Sequence, residues 1–256
     1  MAIHIPNKPE TAYIVRLADN ALILGQRLSE MCGHAPEMEL DIALTNFALD
    51  LIGQANLLYE HALNLETLAS NVDEFALTRS LDDYHNCLLV AQPNVDFAHI
   101  IVRQYFFSTF QKTQYEALLG SNDKTLAAIA EKSLKEIAYQ IRLAHGWMLR
   151  LGDGTEESRA RMVDALDCLW RYTGELFEKD STLSALIKSG ASADFTLEYK
   201  NWQSEMMKTF SQAGDLQAPD ILQMLSGGHD GQHDENLGHI LKGMQYMQLK
   251  YPGLQW

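Results

Sequence analysis

The polar residues with the clearest potential for chemistry interrupt four long, apolar-patterned segments. In helical bundles that hold two irons, two helices each supply a Glu and the other two each supply Glu-x-x-His, because carboxylate oxygens and imidazoles must converge on the metals. The three-residue spacing places the carboxylate and the imidazole on one helix face, a turn apart. This sequence contains no Glu-x-x-His, so it lacks the ligand set on which that chemistry depends.

The nearest equivalents of the motif indicate a former metal site. Asp50 is followed at the third position by Gly53, and Glu136 is followed there by Tyr139. Each pair therefore keeps a carboxylate and lacks the imidazole. Both pairs fall on segments with helical apolar periodicity, which predicts that they face inward.

Uncharged amides occupy the other two expected ligand positions. The lone acid of each remaining helix is expected roughly thirty residues before the paired motif, and Asn20 and Gln104 stand there. Because an unpaired buried carboxylate costs several kcal/mol, we interpret these residues as a polar network with no catalytic or metal-binding role. The alternative is a set of isolated polar residues at the edges of apolar stripes. We call the six positions the vestigial slots: Asn20, Asp50, Gly53, Gln104, Glu136 and Tyr139. The candidate network partners are Gln54, Arg103, Lys135 and Arg142.

A second cluster, from His229 to His239, alternates histidines with acids and resembles a metal site in composition. A loop followed by a helix start is the favoured interpretation, because Gly227-Gly228 marks a flexible turn. Asp234 can cap the next helix, and Glu235 suits its positive end. Nucleophilic catalysis has little support, because the sequence has neither Gly-x-Ser-x-Gly nor a glycine-rich phosphate loop.

Proline and glycine divide the chain into helix-length segments. Thr11 is predicted to cap the first helix, and Ser121-Asn122-Asp123 the fourth. The four long helices form two hairpin pairs with a longer connection between them, which predicts an all-α, ferritin-like four-helix bundle with additional C-terminal helices. We expect one domain over residues 1–256, with the core bundle at about 11–151 and the extra helices at about 155–256. The predicted helices cover approximately residues 11–31, 37–65, 96–119, 124–151, 156–177, 196–213 and 235–251.

The composition limits which partners and which cellular location are expected for this chain. The chain has 256 residues, 46% of them hydrophobic, which excludes disorder. A net charge of −14 argues against nucleic acid and anionic membranes as partners. Three scattered cysteines indicate neither a disulfide framework nor a zinc ribbon. We find no signal-peptide pattern or membrane-length apolar run, so the cytoplasm is the expected location.

Short motifs along nearly the whole chain resemble a known family, the C subunits of bacterial phenylacetyl-CoA ring epoxidases. Each motif is weak alone, and their order over the full length makes the resemblance specific. One departure is Asn236, where the family tends to carry a histidine. The motifs are Leu17-Ala18-Asp19-Asn20, Cys32-Gly33-His34-Ala35-Pro36-Glu37, Leu49-Asp50-Leu51-Ile52-Gly53-Gln54, Gln92-Pro93-Asn94, Arg103-Gln104-Tyr105-Phe106, Lys135-Glu136, Gly146-Trp147, Leu169-Trp170-Arg171-Tyr172, Met244-Gln245-Tyr246 and Pro252-Gly253-Leu254-Gln255-Trp256.

The resemblance implies a division of labour within a hetero-oligomer. In such epoxidases the A subunit is ferritin-like, carries the di-iron centre and activates dioxygen, and the C subunit is its iron-free structural partner. A small B subunit and a reductase with flavin and an iron–sulfur cluster complete the system. We therefore expect no cofactor in this chain and a non-catalytic role in phenylacetate degradation. The alternative is a metal-dependent ferritin-like oxygenase that uses Asp50, Glu136 and Tyr139 as unusual ligands.

Overall fold

The computed structural model describes residues 3–221 and 223–251, and within these ranges all regular structure is helical. The closing motif from Pro252 to Trp256 lies outside the described residues. The all-α class is thereby confirmed. The α-helices are α1 (Pro9–Ser29), α2 (Met38–Leu65), α3 (Val72–Thr78), α4 (Phe97–Glu116), α5 (Lys124–Gly152), α6 (Glu156–Leu169), α7 (Ser181–Ser189), α8 (Tyr199–Gln212), α9 (Glu235–Met244) and α10 (Tyr246–Lys250).

The N-termini of α1 and α5 test the capping residues predicted from the sequence. Asp123 caps α5 as predicted, because its carboxylate accepts hydrogen bonds from the backbone N–H groups of Thr125 and Leu126, both at 3.0 Å. The prediction that Thr11 caps α1 is wrong, since Thr11 is a buried residue inside the helix. Pro9 starts α1 instead, because its fixed φ suits the first turn and its missing N–H costs nothing there.

Two differences concern helix extent. The predicted fifth helix stops at Leu169, and short 3-10 turns at Trp170–Tyr172 and Glu175–Phe177 continue the chain around Gly174. The predicted last helix is divided into α9 and α10. The connection from Asn71 to Leu89 is expected to contain short helical pieces, and α3 lies in it. The short helix α7 was not assigned from the sequence, because a segment of fewer than ten residues shows too few periodic positions.

Contacts divide the chain into two compact units. The first unit comprises Met1–Pro93, Asp180–Ser189 and Gly227–Trp256, and the second comprises Asn94–Lys179 and Gly190–Ser226. The expectation of a single domain stays a prediction.

In the first unit α1 packs along α2 and also contacts α7 and α9. Nearly every residue of α1 is buried. In the second unit α4 packs against α5 and α6, and α8 packs against α5. Phe106, on the equally buried α4, packs edge-on against three aromatic rings: Trp170, Trp202 and Phe210.

Within the described ranges, no helix combines the length and the apolar character that crossing a membrane requires.

Candidate functional site

The vestigial slots of the first unit do not share one environment. Asn20 is buried in α1, and its side-chain oxygen accepts a hydrogen bond from the backbone N–H of Cys87 at 2.8 Å. Asp50 is half-buried on α2, whereas Gly53 is exposed. The prediction that Gly53 faces inward is therefore wrong. The buried stripe of α2 runs through Phe47, Leu51, Gln54, Ala55 and Leu58 and passes beside both slots.

In the second unit, the predicted slot Gln104 is fully buried and lies in an amide network. Its side-chain N–H₂ group donates to the Ser108 hydroxyl at 2.8 Å and to the Gln140 carbonyl at 3.0 Å. Gln140 lies on α5 and was not singled out from the sequence, since a buried amide looks like any polar helix residue. We call Gln104, Ser108 and Gln140 the amide network.

The other slot positions on α5 lie away from this network. Glu136 is half-buried, and its charge adds to the burial that raises the pKa of Tyr115. Tyr139 is 42% exposed, so the prediction that it fills an inward histidine position is wrong. The guanidinium of Arg142 lies over its ring, 5.2 Å from the ring centroid. The buried stripe of α5 consists instead of Ile129, Ser133, Ile137, Gln140, Ala144 and Met148.

The predicted network partners also separate. Gln54 is buried, and Arg103 is buried with its guanidinium donating to the Asn94 side chain at 2.6 Å. Lys135 and Arg142 are exposed, which contradicts their predicted place in a buried network. Long cationic side chains reach solvent readily from a helix edge, so a position next to an inward residue is a poor guide to burial.

A second network, which the sequence analysis missed, lies in the interior of the first unit. Asp19 of α1 and Arg79, just after α3, form an ion pair whose two side chains are both 0% exposed. Tyr59 donates its hydroxyl proton to the same carboxylate, and the backbone N–H of His85 donates to it at 2.8 Å. We call Asp19, Tyr59, Arg79 and the His85 backbone the ion-pair network.

Aromatic rings surround the buried guanidinium of Arg79. Its central carbon lies 4.4 Å from the ring centroid of Phe75 and 4.1 Å from that of Tyr84, within range of a cation–π attraction. The N–H groups of the Arg79 guanidinium also donate to the carbonyl oxygens of Phe75 and Asp83, at 3.0 and 2.9 Å. Burial raises the pKa of Tyr59, and the neighbouring Asp19 carboxylate raises it further, so its phenol stays protonated and donates. This arrangement joins segments that are far apart in sequence.

The histidine-rich segment near the C-terminus is bonded into the first unit. The ring Nε2 of His233 is 2.8 Å from the backbone carbonyl oxygen of Tyr84. The ring Nδ1 of His85 is 3.1 Å from the backbone carbonyl oxygen of His229. Asp234 caps α9 as predicted, accepting from the Asn236 backbone N–H at 3.0 Å. These bonds agree with the loop-and-helix-start interpretation over a metal site.

The vestigial slots do not fit two irons. Gly53 offers no ligand atom, and Tyr139 is exposed on the surface of α5. The oxygen of Asn20 accepts a backbone hydrogen bond, and the amide of Gln104 is held by its network. A di-iron site of the helical-bundle type needs four carboxylates and two imidazoles, and here only Asp50 and Glu136 remain.

These features define an all-helical protein with two long helix pairs and with buried amides at Asn20 and Gln104. The family model described as "Phenylacetic acid catabolic protein" matches residues 3–256. The chain therefore belongs to this family, which confirms the resemblance drawn from the motifs. A relative from Escherichia coli (strain K12), the C subunit of 1,2-phenylacetyl-CoA epoxidase, is 43% identical over 246 residues, covering 96% of this chain and 98% of that protein.

Proposed function

We propose that this chain is the C subunit of a cytoplasmic phenylacetyl-CoA epoxidase, and that it supports a di-iron A subunit without binding iron or reacting with substrate itself. Its identity to an epoxidase C subunit over almost the full length is the observation that carries the proposal. The proposed partners are the A subunit, the small B subunit and a reductase with flavin and an iron–sulfur cluster.

The residues at the vestigial slots support the non-catalytic part of the proposal. Activation of dioxygen at two irons depends on anionic oxygen ligands and imidazoles that hold both metals. Asn20 and Gln104 are neutral and take part in internal hydrogen bonds. Replacing ligands by bonded amides removes the need for a metal to balance buried negative charge, so the helices can pack stably without one.

Metal analysis tests this role most directly. The chain is co-expressed with its A, B and reductase partners, separated from them, and assayed for tightly bound iron and manganese. We expect less than a tenth of an iron atom per chain, against a filled site in the A subunit. Two tightly bound irons per chain, lost in the double variant Asp50→Ala and Glu136→Ala, would overturn the proposal in favour of a working oxygenase.

A single substitution separates support from catalysis. Glu136→Ala removes a half-buried carboxylate, and we expect it to lower the yield or the thermal stability of the assembled complex. Epoxidation per assembled complex should stay within twofold of the unmodified protein. Glu131→Ala is the matched control, since Glu131 is exposed on the same helix. Normal assembly of the Glu136→Ala complex with loss of epoxidation would contradict the structural role.

A further inference from the structure

A cluster of three metal-ligating side chains lies in the second unit, apart from the vestigial slots. His99 stands in the first turn of α4, and Asp164 and Cys168 stand one turn apart on α6. One ligand atom from each residue, a ring nitrogen, a carboxylate oxygen and the sulfur, lies within 4.8 Å of the other two. Residues four apart share one helix face, so α6 presents the oxygen and the sulfur together.

His99 is the residue that points to a ligand. It is 97% buried, as its exposed fraction is 3%, and among the residues that the structure describes its Nε2 has no hydrogen-bond partner. That nitrogen faces Asp164, whose carboxylate oxygen is 3.7 Å away, beyond hydrogen-bond range. A buried nitrogen without a partner costs free energy, and a bound cation would remove that cost.

The other ring nitrogen of His99 is already oriented as a metal ligand requires. Its Nδ1 lies 2.8 Å from a carboxylate oxygen of Asp96, which also caps α4 by accepting from the His99 backbone N–H at 3.0 Å. The carboxylate therefore holds the proton on Nδ1 and leaves the Nε2 lone pair available. Metal-binding histidines typically donate their second N–H to a carboxylate in this way.

We propose that His99, Asp164 and Cys168 bind one zinc-class divalent cation, with Asp96 as the residue that orients the histidine. Nitrogen, oxygen and thiolate ligands together suit Zn²⁺, which takes four ligands in a tetrahedron and here would keep one position for water. Tetrahedral bond lengths place a nitrogen and an oxygen ligand roughly 3.3–3.5 Å apart, and the 3.7 Å separation of His99 and Asp164 is close to that distance. The exposed side chains of Asp164 and Cys168 are free to adjust their rotamers, and the thiol releases its proton to solvent on binding.

This site goes beyond the proposed function and departs from the expectation that the chain binds no metal. It concerns one cation in the second unit, and its three ligands are not among the vestigial slots. A non-catalytic subunit and a bound zinc ion are compatible, since a metal that binds only the folded chain contributes to folding free energy. The site would join the start of α4 to α6.

Direct metal titration of the full-length, tag-free chain tests the site. After treatment with a chelator, the protein is titrated with Co²⁺ and then with Zn²⁺. We expect one Co²⁺ per chain with the visible bands of a tetrahedral centre and a thiolate-to-cobalt charge-transfer band, both displaced by Zn²⁺. Cys168→Ser should abolish the charge-transfer band, and His99→Gln should weaken binding at least tenfold.

Matched variants keep the test independent of folding. Asp96→Asn retains a good helix cap and should weaken binding about tenfold, at the low end for such supporting residues. Cys32→Ser and Asp167→Asn change an exposed cysteine and an exposed acid outside the cluster, and should leave binding unchanged. Circular dichroism confirms that each variant is folded. Binding below half an ion per chain, or binding that survives Cys168→Ser and is lost in Cys32→Ser, would overturn the proposal.

Discussion

The two units bury polar side chains with different chemistry. The first unit encloses an ion pair between Asp19 and Arg79, both fully buried. The second unit encloses the neutral amides of Gln104 and Gln140 together with the Ser108 hydroxyl. The first network gathers several distant segments, whereas the second joins two neighbouring helices.

The chemistry of each buried network determines how well the unit's interior tolerates a substitution. Removing one partner of a buried ion pair leaves an uncompensated charge in a medium that cannot solvate it. Removing one amide leaves only a neutral group without its bond. Substitutions of buried polar residues should therefore lower the free energy of unfolding more in the first unit than in the second. The vestigial slots, three in each unit, do not indicate this difference.

The largest expected effect comes from Asp19→Asn, which keeps the side-chain shape and leaves the Arg79 charge without its counter-ion. We expect a loss of about 3–5 kcal/mol in the free energy of unfolding, measured by urea denaturation. Asp73→Asn, at an exposed position of α3, is the control and should change it by less than about 0.5 kcal/mol. The double variant Asp19→Leu and Arg79→Met should recover most of the loss, because no charge remains buried. A loss below about 1 kcal/mol for Asp19→Asn would remove the contrast between the units.

The amide network should respond less strongly and less additively. Gln140→Met removes one of the two acceptors of the Gln104 N–H₂ group and should cost about 1–3 kcal/mol. The double variant Gln104→Met and Gln140→Met should cost less than the sum of the single variants, because both partners are then apolar. A double-mutant cycle by chemical denaturation measures the coupling. Strict additivity would show that the two side chains do not depend on each other.

The sequence predicted the long helices well and the register of the slots poorly. The apolar stripe of α2 is the buried stripe of the structure, because each of its members adds to the same periodic signal. Gly53 and Tyr139 were placed by analogy with a metal motif. An offset of one position turns a helix by about 100°, which suffices to move a side chain from the interior to the surface.

The ion-pair network and the cluster of His99, Asp164 and Cys168 were missed for a different reason. Asp19 and Arg79 are 60 residues apart, and only the tertiary fold brings them together. His99, Asp164 and Cys168 match no spacing motif, since α4 and α6 supply them separately. A single sequence carries no signal that links such positions, whereas caps such as Asp123 and Asp234 are local and were predicted correctly.

Acid should weaken the first unit through its histidines. Burial, followed by the positive charge of Arg16, lowers the pKa of His229 to about 3 from 6.5, and burial also lowers that of His233. The unfolded chain therefore takes up protons below about pH 6.5 that the folded chain does not bind, so stability is full above that pH and falls as the pH drops.

The expected slope follows from the same linkage. Between pH 6.5 and about pH 5.5, where carboxylates are mostly ionised in both states, His229 should lower stability by less than about 1.4 kcal/mol per pH unit, because one imidazole takes up at most one proton. Urea titrations across this window measure the slope. His229→Gln should flatten it, and His34→Gln, at an exposed histidine, should not. Stability that rises on acidification would contradict the cause assigned here.

The smallest expected effect comes from glycine substitutions outside the buried networks, one in each unit. Gly53→Ala in α2 and Gly146→Ala in α5 each add a methyl group that meets no described atom within 4 Å. Because alanine favours a helix by up to about 1 kcal/mol over glycine, each variant should raise the free energy of unfolding by about 0.5–1 kcal/mol. Gly231→Ala is the opposing control, since its φ is +76° and an added Cβ would lie only 2.3 Å from the Asp82 carbonyl oxygen. If Gly53→Ala stabilises the isolated chain but weakens its assembly with the A subunit, that slot lies at the interface, and its glycine is explained by a close approach of the partner and not by a lost iron ligand.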